Sequence, residues 1–281
     1  MNMTVIKWED IFTPSGAEAV SKLCGNNGGT ALTIGGFDGP HTGHQALFNA
    51  VMENAEKLNL VPGVVTFTRS PGVVKNDKNY PGDVSTLRLR LNHFAETGFK
   101  LVVLIDFSAE FGRMTGSVFF DNLVKKIRMR YVAVGPDFRC GFRLDTGETE
   151  IAGFATKEGF RVDSIPLADY NGLRISSSAV RDAIRSADFA LAEKLLGYPF
   201  LLDFSGIRWE VSDKNLNTPL CSFTQILPGR GVYNAVLYTV SGTSVHVTIH
   251  VTESLLELAA CKGETLPPVP EISAAEFCLS R

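Results

Sequence analysis

The sequence lacks what would carry it into a membrane or lock it covalently. Across 281 residues nothing approaches the run of about 18 apolar residues that a membrane-crossing helix needs. Cysteine is scarce: Cys24, Cys140, Cys221, Cys261 and Cys278 are five in all. Their number is odd and none forms a CxxC pair, which excludes a disulfide framework and leaves reduced thiols in a cytoplasmic protein as the expectation. The first ten residues include Lys7, Trp8, Glu9 and Asp10 and hold no apolar stretch of secretory-leader length. An excess of charge of one sign is also missing. A formal net charge of −3 gives no general attraction to nucleic acid or to an anionic membrane, so neither is expected as a partner. Any anion site must therefore be local. There is no internal repeat and no low-complexity tract, and nothing in the sequence speaks to oligomeric state.

What is present is an ordinary soluble composition, 44 % hydrophobic and 20 % charged, with enough apolar material for a sizeable core. The first two-thirds alternate short apolar runs with amphipathic stretches. Strands are predicted at 29–34, 64–67, 101–105, 131–134 and 161–165, and helices at 43–58, 87–96 and 118–128. In the first helix Leu47, Val51, Ala55 and Leu58 share one face at helical spacing. Strand–helix–strand alternation with uninterrupted apolar strands predicts an α/β domain with a mostly parallel sheet buried on both faces. Ligands of such sheets bind past the carboxyl ends of the strands.

The character changes after residue 200. Strands are predicted at 204–208, 232–240 and 245–251 with no helix between the last two. Val245, Val247, Ile249 and Val251 alternate with His246, Thr248 and His250, the period of a half-buried antiparallel strand. A boundary near residue 201 is expected, giving an α/β domain over 1–200 and a small, mainly antiparallel β domain over 201–281. Its end, with Pro267, Pro268 and Pro270, reads as irregular.

The strongest motif is Gly35-Gly36-Phe37-Asp38-Gly39-Pro40-His41-Thr42-Gly43-His44, which follows a strand and opens a helix. Small residues let backbone approach a phosphate, and the N–H groups and dipole of a helix start favour anions. His41 and His44 bring two imidazole donors to the same anion. Zinc is a poorer fit, since only Asp38 is near as a third ligand. A second stretch, Ile175-Ser176-Ser177-Ser178-Ala179-Val180-Arg181, sets three hydroxyls before a helix whose first turn carries a guanidinium. It suits simple capping or a second clamp on a polyphosphate. The third, Val134-Gly135-Pro136-Asp137-Phe138-Arg139-Cys140-Gly141, is a strand end and polar turn in which Asp137 can hold a substrate hydroxyl or ring nitrogen; as a bare pattern it is a common turn. His246 and His250 lie about 13 Å apart along a strand and make no metal pair.

In this order and spacing the three stretches closely resemble the adenylyltransferase module of bacterial bifunctional riboflavin kinase/FAD synthetases, with its GxFDGxHxGH, VGxDFxFG and ISSTxIR motifs. Cys140 stands where that family has Phe, and Ser178 where it has Thr. Leu195-Leu196-Gly197-Tyr198-Pro199-Phe200 resembles the family's LLGRPY, and the likeness covers roughly residues 20–200. It implies a Rossmann-like nucleotidyltransferase that joins AMP from ATP to FMN, with magnesium held mainly by the substrate phosphates and no metal site built from protein ligands. It also implies site roles. His41, His44 and Arg181 would be catalytic, while Gly35, Phe37, Asp38, Gly39, Gly43, Ser176, Ser177 and Ser178 would bind ATP. Phe67, Asp137 and Phe138 would face the flavin. After the second strand the family has a Phe and then Pro-His-Pro-Arg. Here the sequence is Phe67-Thr68-Arg69-Ser70-Pro71-Gly72, without the histidine.

The C-terminal part departs further. Leu227-Pro228-Gly229-Arg230-Gly231-Val232-Tyr233 resembles one strand entry of the family's kinase barrel. The Pro-Thr-Ala-Asn motif of that barrel is absent, and the tail looks too short to complete it. Riboflavin kinase activity is therefore expected to be missing. Two rivals remain open. One is a related HxGH nucleotidyltransferase acting on nicotinamide mononucleotide or phosphopantetheine. The other is a non-catalytic flavin or nucleotide sensor.

Overall fold

The computed structural model describes residues 3–69, 80–108, 110–166, 169–170, 173–213 and 215–279. Two compact units are present: residues 1–78 with 90–174, and residues 79–89 with 175–281.

The first unit holds β1 (Thr4–Lys7), β2 (Thr30–Ile34), β3 (Val61–Phe67), β4 (Leu101–Ile105), β5 (Met129–Val134) and β6 (Arg161–Ser164) in one sheet of order β1-β4-β3-β2-β5-β6. Every neighbouring pair is parallel. All five residues of β2 and of β4 are buried, as two-sided burial demands of central parallel strands. The succession β2, β3, β4 runs to one side of β2 and β5, β6 to the other, so the order reverses between β2 and β5. In open α/β sheets that reversal opens a crevice at the carboxyl ends of the strands.

Helices α1 (Pro14–Cys24), α2 (Thr42–Lys57), α3 (Leu87–Thr97), α4 (Gly116–Lys126) and α5 (Glu148–Glu158) connect these strands. The sequence reading anticipated α2, α3 and α4 and passed over β1, α1 and α5, although their punctuation is plain. Thr13 caps α1 by accepting from the Gly16 N–H, with Pro14 in the first turn. Glu150 reaches back to the Gly147 N–H at the start of α5, and Gly159 closes that helix at φ 73°. Helix α4 starts and stops two residues earlier than the expected 118–128. Thr115 caps it, and Arg128 takes a left-handed φ of 56° that no helix continues through. A two-residue pair, β7 (Asp169–Tyr170) and β8 (Leu173–Arg174), ends this unit.

The second unit begins with α6 (Ser177–Arg185) and α7 (Phe189–Leu196). Strands β9 (Leu201–Asp203), β10 (Glu210–Ser212), β11 (Asn215–Pro219), β12 (Gly231–Thr239), β13 (Ser244–Val251), β14 (Leu255–Ala260) and β15 (Ile272–Phe277) follow. They form an antiparallel sheet of order β10-β11-β14-β13-β12-β15-β9. The alternation in β13 has its expected cause: Val247, Ile249 and Val251 are buried and His246 and His250 exposed.

Two expectations fail here. Residues 204–208 are a turn rather than a strand. The Asp203 carboxylate accepts from the Ser205 N–H, the Ile207 N–H bonds the Phe204 carbonyl, and Gly206 sits at φ 77°. The strand is the preceding Leu201–Asp203. The proline-rich end is not wholly irregular: after a short turn at Val269–Glu271, β15 enters the sheet between β12 and β9. Pairing to both neighbours outweighs the proline signal, because the prolines stop before the strand begins.

The segment 79–89 joins this unit through buried polar groups. Gln225 accepts from the Asp203 N–H (2.7 Å) and donates to the carbonyls of Val84 and Leu201 (2.9 Å each). Arg88 grips the Asp203 carboxylate, 2.7 Å at its closest, and Thr86 donates to the same group.

Candidate active site

The turn from β2 to α2 is built around an unusual backbone. Phe37 adopts φ 44° and Gly39 φ 61°, the left-handed region that bulky side chains avoid. Burial compensates at Phe37: its ring meets Phe48 at 5.3 Å, Phe94 at 6.1 Å and the edge of His44 at 5.0 Å. Gly35 must be glycine, since a Cβ there would stand 2.8 Å from the Phe37 ring. Asp38 is buried in the same turn, and Gly43 lies buried in the first turn of α2.

His41 is the N-cap of α2 and His44 its third residue. The His41 N–H donates to His44 Nδ1 at 3.3 Å, which leaves the proton of neutral His44 on Nε2. The two rings stack with centroids 3.7 Å apart and planes 14° apart. Burial pushes the His41 pKa down to about 4. His44 is also held well below its ordinary value, by burial first and by repulsion from His41 second. Both imidazoles are thus neutral near pH 7 and act as hydrogen-bond donors rather than cations. His41 Nδ1 is buried without a hydrogen-bond partner, and such an atom costs free energy until something pairs with it. In this face-to-face arrangement the two rings do not aim their in-plane lone pairs at one tetrahedral ion.

Past the carboxyl ends of β2, β3, β4 and β5 opens a cleft of about 430 Å³. Gly35 and Gly36 of the turn form one wall. Phe67, Phe107, Phe111, Phe119 and Phe138 supply aromatic surface, and Asp137 and Arg139 are polar members of the lining. Phe67 packs on Phe107 at 5.9 Å and Phe107 on Phe111 at 5.8 Å. Phe67, Asp137 and Phe138 thus share one cavity, as do Phe107 and Phe111, which the sequence reading did not single out. Their only sequence signal is aromatic residues just beyond a strand end. Cys140 also lines the cleft, and burial followed by the nearby Asp145 pushes its thiol up to about 12. Ser70, Pro71 and Gly72 lie outside the described residues.

The serine motif belongs to the second unit. Ser176 caps α6 by accepting from the Ala179 N–H at 3.2 Å. Arg181 donates from Nε to the Gly82 carbonyl at 2.8 Å and from Nη2 to the Tyr80 hydroxyl at 3.2 Å, with its guanidinium over the Tyr80 ring. Ser177 stands in the first turn of α6, and Ser178 beside it is exposed.

The family profile for FAD synthetase matches residues 24–179. The chain belongs to the FAD synthetase family. The bifunctional riboflavin kinase/FMN adenylyltransferase of Escherichia coli K12 is 34 % identical over 73 % of this chain and 67 % of its own length. The proteins of the same description from Haemophilus influenzae and Pseudomonas fluorescens are 29 % and 31 % identical over 76 % and 73 % of this chain and 71 % and 67 % of their own. A crystal structure described as a macrolide-efflux protein from Streptococcus pneumoniae matches with a TM-score of 0.75 over 99 % of this chain and 98 % of that one. At 22 % identity that likeness shows the fold. As a member of the family the chain is a nucleotidyltransferase of FAD biosynthesis. Among the described residues no helix is long and apolar enough to cross a membrane.

Proposed function

We propose that the protein is an FMN adenylyltransferase without riboflavin kinase activity, converting ATP and FMN to FAD and pyrophosphate. The observation that carries this reading is the phenylalanine-lined cleft whose wall is also the phosphate turn. A flat aromatic ring system and a phosphate have neighbouring places at one crevice. The abundance of phenylalanine favours a flavin over nicotinamide mononucleotide or phosphopantetheine, which offer far less aromatic surface.

In the reaction a phosphate oxygen of FMN attacks the α-phosphorus of ATP. A P–O bond forms, the bond to the β-phosphate breaks, and pyrophosphate leaves with the electron pair. The attacking oxygen is already anionic, so no general base is needed; the task is to align two anions and stabilise the charge that develops. His41 and His44 serve the α- and β-phosphates as neutral donors, alongside the N-terminus of α2. By the resemblance to the family's serine motif, the hydroxyls of Ser176, Ser177 and Ser178, with Arg181, are assigned to the β- and γ-phosphates. Ser176 can serve there while capping, because accepting from Ala179 leaves its O–H free to donate. Phe67 and Phe138 pack on the flavin, and Asp137 accepts from one of its polar hydrogens.

Magnesium fits as a companion of the nucleotide. Among the described residues no three His, Cys, Asp or Glu side chains gather into a metal site. Asp38 is the one carboxylate of the turn, and magnesium commonly relies on substrate phosphates and water. When bound, the ion supplies charge neutralisation on the polyphosphate. Residues 201–281 are proposed to be a reduced kinase-like domain, on the ground that the Pro-Thr-Ala-Asn motif is missing, and the reduced-thiol composition suits a cytoplasmic enzyme.

The test is to incubate purified protein with ATP, magnesium and either FMN or riboflavin and to separate the flavins by chromatography. FAD from FMN and no product from riboflavin is expected. FMN formed from riboflavin would overturn the missing-kinase reading, and no FAD from FMN would overturn the whole.

A further inference from the structure

Beneath the phosphate turn lies a buried arginine that none of the motifs includes. Arg90, in α3, is 2 % exposed. Its Nη1 donates to the Gly36 carbonyl at 3.1 Å and lies 3.4 Å from Thr66 Oγ1. Its Nη2 donates to the Thr68 carbonyl at 3.1 Å. The Thr66 hydroxyl donates to the same Gly36 carbonyl at 3.0 Å. Two donors from separate elements, the end of β3 and α3, therefore converge on one carbonyl of the glycine turn.

We infer that Arg90 is a positioning residue for adenylyl transfer, fixing the Gly36–Phe37 peptide and through it the His44 ring. A trans peptide is planar, with its C=O and N–H pointing in opposite directions. Drawing the Gly36 carbonyl down toward Arg90 and Thr66 turns the Phe37 N–H the other way. It also sets the left-handed Phe37, whose ring packs edge-on against His44 at 5.0 Å. Release of the carbonyl lets that peptide rotate and leaves ring burial alone to hold the strained φ of Phe37. Arg90 holds the Gly36 and Thr68 carbonyls with the two terminal nitrogens of a planar fork, a geometry that the single nitrogen of a lysine does not reproduce. The same contact ties the turn to the end of β3, where Phe67 lines the cleft.

This inference rests on the adenylyltransferase reading, and the experiment separates the two. FAD formation is measured for wild type, Arg90→Lys and Thr66→Val, with folded fraction from circular dichroism and the His44 ring signal followed by NMR. Arg90→Lys is expected to lower kcat per folded molecule about 10–100-fold, the usual scale for misplacing a reacting group by a fraction of an ångström to an ångström. The KM for FMN should stay near wild type and the His44 signal should move. Thr66→Val, which removes one donor to the carbonyl and keeps the shape, should give a smaller loss in the same direction. If wild type makes FAD and both variants keep its kcat per folded molecule with His44 unmoved, Arg90 is merely structural and the inference is overturned. If wild type makes no FAD, the functional reading fails instead. In that case an unmoved His44 signal in Arg90→Lys overturns the positional claim, and a moved one upholds it.

Discussion

At the scale of single residues the site is defined by two imidazoles that have given up their charge. Loss of one developing-charge donor of this type costs roughly 10²–10³-fold in rate, so His44→Ala is expected to lower kcat by that factor. Steady-state kinetics check it, and an effect confined to KM would contradict the role. The depressed His41 pKa has a second consequence. Unfolded, the ring titrates near 6.5; folded, near 4. Above pH 6.5 both states are neutral and the full stability is present. As pH falls toward 4 the unfolded chain takes up the proton first, and stability is lost, at most about 3 kcal/mol from this group. Urea unfolding at pH 7 and pH 4.5 should show a smaller acid loss in His41→Asn than in wild type. A thiol is also tuned at this scale. Cys140, raised to about 12, should resist alkylation at pH 8 while the exposed Cys221 and Cys278 react.

At the scale of elements the same residue type plays opposite parts. Gly141 sits at φ 81°, and a Cβ there would come within 2.0 Å of Asp145 Oδ1 and 2.4 Å of the Gly116 nitrogen. That nitrogen donates to Asp145 Oδ1 at 3.0 Å, which joins the start of α4 to the cleft loop. Gly141→Ala should therefore destabilise by about 2–4 kcal/mol and raise the KM for FMN, because the loop lining the cleft must shift. Gly153, by contrast, lies in the exposed interior of α5 with open space around it. Gly153→Ala should stabilise by about 1 kcal/mol, the helix-propensity difference. Paired thermal melts and FAD assays test both, and equal effects would contradict the distinction. Element existence was readable wherever an apolar run or a 3.6-residue stripe was long enough. The misreadings came where a short polar signal decided: a threonine cap at α1, an Asx turn at 203–207, a left-handed Arg128.

At the scale of the whole chain, the second unit depends on groups far apart in sequence. Gln225 satisfies three buried backbone groups at residues 84, 201 and 203. Gln225→Ala should cost about 2–4 kcal/mol, since it strands buried donors and acceptors; urea denaturation measures it, and a loss below 0.5 kcal/mol, an order-of-magnitude bound for ordinary surface changes, would count against the account. The sequence by itself determined the α/β class, the passage to an antiparallel sheet, the family, and the turn with its two histidines. These are local: a hydrophobic period, or residues adjacent in the chain whose chemistry survives in any context. Tertiary structure alone decided the strand order that puts the reversal beside Gly35, the meeting of Phe67, Phe107, Phe111 and Phe138 in one cleft, and the reach of Arg90 to a carbonyl 54 residues away. Burial then neutralised His41 and His44. Each of these arises from contacts between distant segments, and desolvation exists only once the chain has closed around a group.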